Sequence, residues 1–183
     1  MPNWSDAYLG TINTDYNTAG TATWRLVIYG TSLSNTGQTY TRLTFKSATN
    51  EGLILNPVYI GARATAGDDY DFAVPPTQVT FNGGSAGFNI GTNAAATSDA
   101  ISYAVPAGTA GVVVSFTAGI GTANGFLRGT TNIGTCYYIL SSDAATQNAG
   151  VYAVLGVYNL SLFKIESGID AAGGFMPILV VAD

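Results

Sequence analysis

The sequence predicts an all-β fold: an antiparallel β-sandwich, jelly-roll-like, in a single domain. Three observations carry that expectation. Between residues 77 and 118, short runs of β-branched and aromatic residues (79–81, 88–90, 101–105 and 112–116) recur with a period of two, the spacing of side chains on a pleated sheet. The spacers are Gly, Asn and Pro-Ala-Gly. These tolerate positive φ or pre-set a turn, and they leave no room for the crossover helices that parallel strands require. Elsewhere in the chain no segment carries the apolar spacing of an amphipathic helix.

Taken in order, residues 1–20 scatter Trp4, Tyr8 and Tyr16 among Asn, Thr, Gly and Asp and are expected to form an N-terminal arm or edge strand. Residues 21–166 are expected to form the sandwich. Within them, 21–28 put Trp24, Leu26 and Ile28 on one face and Arg25 and Val27 on the other. The stretch 30–37 reads as a polar loop ending in a turn-forming Asn-Thr-Gly. Residues 40–46 point Leu43 and Phe45 inward and Arg42, Thr44 and Lys46 outward, the pattern of a sheet with one wet face. After a turn over 48–52, residues 53–62 return as a strand in which Pro57, lacking an N–H, demands an edge position or a bulge. The stretch 64–76 is irregular, and Pro75-Pro76 stops any regular element before 77. Beyond a loop of small residues over 119–125, strands are expected at 126–129, 136–141 and 151–157. Residues 158–166 alternate, with Leu160, Leu162 and either Phe163 or Ile165 competing for the inner face. Residues 167–183 read as a linker followed by an apolar terminal strand over 175–183, a sticky edge unless a neighbouring subunit covers it.

At 183 residues the chain fits one domain, able to bury about 70% of the surface its unfolded form exposes. Its single cysteine, Cys136, lies in the run Cys-Tyr-Tyr-Ile-Leu and reads as a small buried hydrophobe. Charged residues make up 9% of the chain, well below the usual ~25%, so hydroxyls and amides must solvate the surface. That composition is associated with secreted and virion proteins. The net charge is −5, and the six basic residues are scattered as Arg25, Arg42, Lys46, Arg63, Arg128 and Lys164. Nucleic acid is therefore not an expected partner, because phosphate binding needs a clustered positive field. The N-terminus has no basic stretch followed by an apolar one, and no run reaches the ~18 apolar residues of a membrane span. The expectation is a soluble protein on a virion surface or outside a cell. A phage particle released by lysis, or a chain trimmed of its leader, would account for the missing export signal.

Several blocks resemble the β-sandwich domain that precedes the catalytic domain in a group of SGNH (GDSL-type) hydrolases, many of them esterases acting on carbohydrate esters. Thr41-Arg42-Leu43-Thr44-Phe45 is similar to that group's R-x-R-L-S strand, and Asn50-Glu51-Gly52 to the turn after it. Ile60-Gly61-Ala62 is similar to its I-G-A-A strand. Val79-Thr80-Phe81-Asn82-Gly83-Gly84 resembles its P-V-T-F-G-G block, and Ser98-Asp99-Ala100-Ile101 its S-D-P-V. Val105-Pro106-Ala107-Gly108 with Val112-Val113-Val114-Ser115-Phe116 resembles its V-P-A-G-S-x-L-x-V-S-x-Y strand. At the far end, Ile178-Leu179-Val180-Val181-Ala182-Asp183 looks like the strand that leads into the group's Gly-Asp-Ser nucleophile block. The resemblance implies a jelly-roll accessory domain ending just before that serine. The chain contains no histidine, so the Ser-His constellation and any His-ligated metal site are excluded within it, and an enzyme is not expected.

Candidate sites follow from the remaining polar and aromatic residues. Asp68, Asp69 and Asp71 place three carboxylates in one loop, hard oxygen donors of the kind calcium takes. Trp4, Tyr29 and Tyr70 lie in or beside polar stretches, where aromatic rings can stack on sugars. The expected role is non-catalytic: attachment to cell-surface polysaccharide, or docking with other virion or assembly proteins, including copies of itself. Two alternatives stand beside it, the leading part of an SGNH-type carbohydrate esterase and a phage decoration or spike subunit without a ligand.

Overall fold

The computed structural model describes residues 4–18, 20–108, 110–119, 124–129, 134–140, 146, 148, 151–157 and 159–169. The apolar strand expected over 175–183, with its Ala182-Asp183 end, lies outside the described residues, as do most of the linker before it and most of 142–150.

The strands are β1 (Trp4–Leu9), β2 (Thr14–Thr18), β3 (Ala22–Ile28), β4 (Tyr40–Lys46), β5 (Leu53–Ala62), β6 (Thr77–Val79) and β7 (Phe88–Ile90). They continue with β8 (Ala95–Thr97), β9 (Val112–Ala118), β10 (Asn124–Gly129), β11 (Gly134–Ile139), β12 (Ala153–Gly156), β13 (Asn159–Leu160) and β14 (Leu162–Gly168). One sheet runs β12-β11-β3-β9-β5-β6, with β7 also on β5, and the opposing layer consists of β1-β14-β4-β8 and β13-β10-β2. The protein is thus an all-β single domain of antiparallel sheets packed as a sandwich, as the period-two pattern predicts.

The main core lies between the layers. Trp24, Leu26 and Ile28 of β3 and Val112, Val114 and Phe116 of β9 meet Leu43, Phe45, Leu162 and Ile165 from the opposing layer. Ring pairs bridge the gap edge-on, Phe45 to Phe116 at 5.7 Å and Trp24 to Phe126 at 5.2 Å between centroids, the geometry that aromatic quadrupoles favour. Cys136 belongs to this core and is fully buried, and burial pushes its thiol far above its ordinary value. The unreactive thiol form is therefore the one present.

Ser161 joins the two parts of the second layer. It stands at φ 57 between β13 and β14. There it takes the Lys46 N–H at 2.8 Å on its carbonyl and donates its own N–H to the Leu127 carbonyl at 2.7 Å. The alternation expected over 158–166 is broken at this residue into two strands, because a left-handed residue cannot continue a ladder. Leu160, Leu162 and Ile165 all reach the core. From the other end of the chain, the Tyr8 hydroxyl donates to the Asn159 side chain and ties β1 to β13.

Two further strand expectations need correction. Over 101–105 only Ile101 pairs, in a bridge to Thr41. Other partners satisfy the backbone beyond it, since the Tyr103 carbonyl accepts the Thr41 hydroxyl at 2.6 Å and the Val105 carbonyl accepts the Gly37 N–H at 2.8 Å. Residues 151–157 form a shorter strand, β12. The demand set by Pro57 is met by irregularity: β5 has neighbours on both sides, and its register against β9 shifts between Leu55 and Val58.

The outer face of the larger sheet carries a second, smaller core of Val27, Val113, Tyr137, Tyr70, Phe72 and Tyr152. The irregular stretch 64–76 folds back onto this face and contributes Tyr70 and Phe72. At its centre the Arg25 side chain is fully buried. Its guanidinium donates to the Tyr70 carbonyl at 2.8 Å, stands 3.7 Å from the Asp71 carboxylate, and lies 4.8 Å and 4.6 Å from the ring centres of Phe72 and Tyr152. A buried cation is tolerated when it is paired and ring faces supply negative potential. Asn148 closes the cover with two bonds to one residue, accepting the Phe72 N–H at 3.0 Å and donating to the Phe72 carbonyl at 2.8 Å.

Removing this cation tests the arrangement. Arg25→Ala is expected to cost about 3 kcal/mol in urea unfolding, the scale of breaking a buried pair, and to open 64–76 to limited proteolysis while the main sandwich persists. Cys136 is expected to resist alkylation in the folded protein and to react at the ordinary thiol rate once it is unfolded.

Candidate functional site

The site grows from the irregularity in β5. Leu53, Ile54 and Leu55 pair with Ile90, Asn89 and Phe88 of β7, whereas Val58, Tyr59 and Ile60 pair with Val79, Gln78 and Thr77 of β6. Pro57 offers no N–H to a neighbour, so the ladder changes partners at Asn56-Pro57. A cleft of about 540 Å³ opens beside this break. Its polar lining consists of Asn56, Asn82, Ser85 and Asn89, its aromatic lining is Phe88, and no lining side chain is ionisable.

Two local devices shape the cleft. Gly87 must be glycine, since a Cβ there would stand 2.4 Å from the Leu55 carbonyl oxygen and 2.6 Å from Asn56 Cβ. This close approach seats the segment before β7 against β5. The opposite wall is the turn Phe81–Ser85, closed by reciprocal bonds of 2.8 Å between the two end residues. Asn82, Gly83 and Gly84 have φ of 49°, 79° and 125°, a left-handed run that the glycines allow. The Asp99 carboxylate fixes it, accepting the Gly83 N–H at 2.9 and 3.1 Å, the Gly84 N–H at 2.9 Å and the Thr80 hydroxyl at 2.9 Å. Partial burial raises the pKa of Asp99, but the donors on Gly83, Thr80 and Gly84 outweigh it and hold the carboxylate below its ordinary value. Behind the turn, Phe81 is buried and stacks on half-buried Phe88, with ring centres 5.6 Å apart and planes 22° apart. The outcome is an uncharged cleft lined by three asparagines, a serine and a ring that Phe81 backs. Such groups match the vicinal hydroxyls and apolar ring face of a sugar.

The aromatic and acidic residues singled out from the sequence lie elsewhere. Tyr29, Tyr70, Asp68, Asp69 and Asp71 come together on the outer face of the larger sheet, while Trp4 sits apart in β1. Trp4 is buried, with the Arg42 guanidinium 4.3 Å from its ring centre and Glu166 pairing that arginine at 3.1 Å. Tyr70 is buried between Tyr137 and Tyr152, each 5.0 Å away. Tyr29 is half-buried under the Arg63 guanidinium, 5.3 Å from its ring centre. The carboxylates go to three separate partners: Asp68 accepts the Tyr70 hydroxyl at 2.8 Å, Asp69 pairs Arg63 at 2.9 Å, and Asp71 faces Arg25. Among the described residues no group of three His, Cys, Asp or Glu side chains is placed to hold a metal ion.

Sequence reasoning passed over Asn56, Asn82, Ser85, Phe88 and Asn89. A usable signal was present in Asn56-Pro57 and Asn82-Gly83-Gly84, two breaks in strand pattern that each carry an amide. No protein-family model matches the chain, and no curated protein matches it.

The pH response of the turn follows from Asp99. Its folded pKa lies below the ordinary 3.8, so its stabilisation is complete above that value and is lost as pH falls through the lower folded one. In an NMR titration the Gly83 and Gly84 amide protons are expected to shift together, with a midpoint below 3.8, and to lose that shift in Asp99→Asn.

Proposed function

We propose that this chain is a non-catalytic binding module whose amide-lined cleft takes a neutral saccharide of a surface polysaccharide, displayed outside a cell or on a virion. The observation that carries this reading is the cleft itself, which Asn56, Asn82, Asn89 and Ser85 line together with Phe88 and no ionisable group. Neutral hydroxyls are recognised by groups that both donate and accept, and an amide does both. A ring braced from behind gives the sugar's apolar face a surface that costs little entropy to order. The low charge content, 9% of residues, agrees with the same setting. The resemblance to the sandwich domain of SGNH hydrolases suggests carbohydrate as the ligand class. The absence of histidine from the sequence favours binding over cleavage by this chain.

A second reading, an assembly subunit, draws on a different observation. Leu140, Val151, Val154 and Val157, on and around β12 at one edge of the larger sheet, are all more than half exposed. On that reading the protein self-associates in light scattering and retains no glycan.

Glycan-array screening followed by calorimetry with the retained oligosaccharide tests the proposal. Phe88→Ala and Asn89→Ala are each expected to weaken binding about tenfold, the worth of one well-placed contact. Arg63→Ala, on the outer face, leaves it unchanged. Absence of retention on every neutral glycan, or retention on acidic glycans alone, would overturn the reading.

A further inference from the structure

The turn that walls the cleft also holds a reactive sequence. Asn82 is followed by Gly83, and with no Cβ in the way a glycine nitrogen reaches the preceding side-chain carbonyl carbon more easily than any other residue's. Both residues are exposed to water. The nitrogen that would attack is the one whose N–H Asp99 accepts twice, at 2.9 and 3.1 Å.

We propose that Asn82-Gly83 is a latent self-modification site, held unreactive by Asp99, whose conversion to aspartate or isoaspartate puts a negative charge on the wall of the cleft. In the first step the Gly83 amide gives its proton to solvent, and its nitrogen forms a bond to Cγ of Asn82. The Asn82 side-chain nitrogen leaves as ammonia, taking its extra proton from water, and a five-membered succinimide remains. Water then adds to one of the two imide carbonyls and breaks one C–N bond, leaving a carboxylate on either a normal or a methylene-extended backbone. The sum is amide plus water giving carboxylic acid plus ammonia, with no change in oxidation state.

Asp99 opposes the first step in two ways. The Gly83 proton must leave a charge-assisted hydrogen bond, and negative charge must develop on a nitrogen that already faces a carboxylate. Once converted, residue 82 carries a carboxylate beside the Gly83 that Asp99 holds, and the isoaspartate form lengthens the main chain between Phe81 and Ser85. Both changes act on the wall that contributes Asn82 and Ser85 to the cleft. The consequence for ligand rests on the saccharide reading above; the chemistry does not.

Peptide mapping by mass spectrometry after incubation at mildly alkaline pH, with electron-based fragmentation to tell aspartate from isoaspartate, tests the proposal. Folded Asp99→Asn is expected to convert Asn82 at least about tenfold faster than folded wild type, the factor that corresponds to losing one charge-assisted hydrogen bond. The chain's other Asn-Gly, Asn124-Gly125, has its Gly125 N–H bonded to the Gly52 carbonyl at 2.9 Å and serves as the internal reference, so the acceleration at Asn82 is expected to exceed any at Asn124. Asp99→Ser removes the carboxylate with a smaller polar side chain and is expected to accelerate conversion of Asn82 to a similar extent. It also decides the matter if Asp99→Asn does not fold. Equal rates in wild type and these variants, or slower conversion without the carboxylate, would overturn the proposal. In a separate arm, Asn82→Asp is expected to lose retention on the saccharide that wild type binds. Retained binding would sink the charge-switch consequence and leave the mass-spectrometric result standing.

Discussion

Strands β3 and β9 are buried at every position, and the rest of the architecture answers to that constraint. A strand with no wet face satisfies its backbone only through neighbours on both edges, and each has two: β3 lies between β11 and β9, and β9 between β3 and β5. It also needs packing above and below. The opposing layer covers one side, and the stretch 64–76 with Tyr152 covers the other. With a single cysteine in the sequence, no internal disulfide shares the task. Arg25, the one charged side chain projecting from β3, makes the outer cover specific. A purely apolar face would accept many loop positions, whereas a guanidinium facing a carbonyl, a carboxylate and two rings accepts few.

Much of the fold was legible in the sequence because apolar alternation reports local geometry. The bounds of β5 and the positions of β4 and β9 follow the pattern of Leu43 and Phe45, of Leu53 to Ala62, and of Val112 to Phe116. The alternation of Trp24, Leu26 and Ile28 with Arg25 and Val27 is also present in the sheet. Periodicity could not reveal that both faces of β3 are covered, since that depends on where a distant loop lands. Residues 101–105 misled because extended apolar backbone looks the same in sequence whether a ladder or scattered loop contacts satisfy it.

The cleft was less legible than the fold. Aromatic residues beside polar stretches suggested a surface, yet Tyr70 and Trp4 are buried, and nothing local distinguishes a ring that faces water from one that covers a core. Sequence proximity likewise suggested that Asp68, Asp69 and Asp71 act together, while each has a different partner. What does form the cleft is a pair of backbone interruptions far apart in sequence. Asn56-Pro57 breaks a ladder, and Asn82-Gly83-Gly84 makes a left-handed turn that a carboxylate sixteen positions beyond Gly83 holds in place. The block 79–84 and the Ser98-Asp99 block are thus joined through Asp99, which accepts from Thr80 and Gly84, while the Ser98 hydroxyl accepts the Leu43 N–H at 2.9 Å and ties the pair to β4.

The pairing of β1 with β14, from Trp4 opposite Gly168 to Leu9 opposite Lys164, sets the order in which the molecule can be completed. These partners lie at least 155 residues apart in sequence, and loop-closure entropy makes such contacts late and slow. On the ribosome the first strand emerges long before its mate exists. It must wait, without that partner, until Gly168 has been made. Until then Trp4, Ala7 and Tyr8, which the finished fold buries, stay open to water on an unpaired strand, an adhesive edge for other nascent chains.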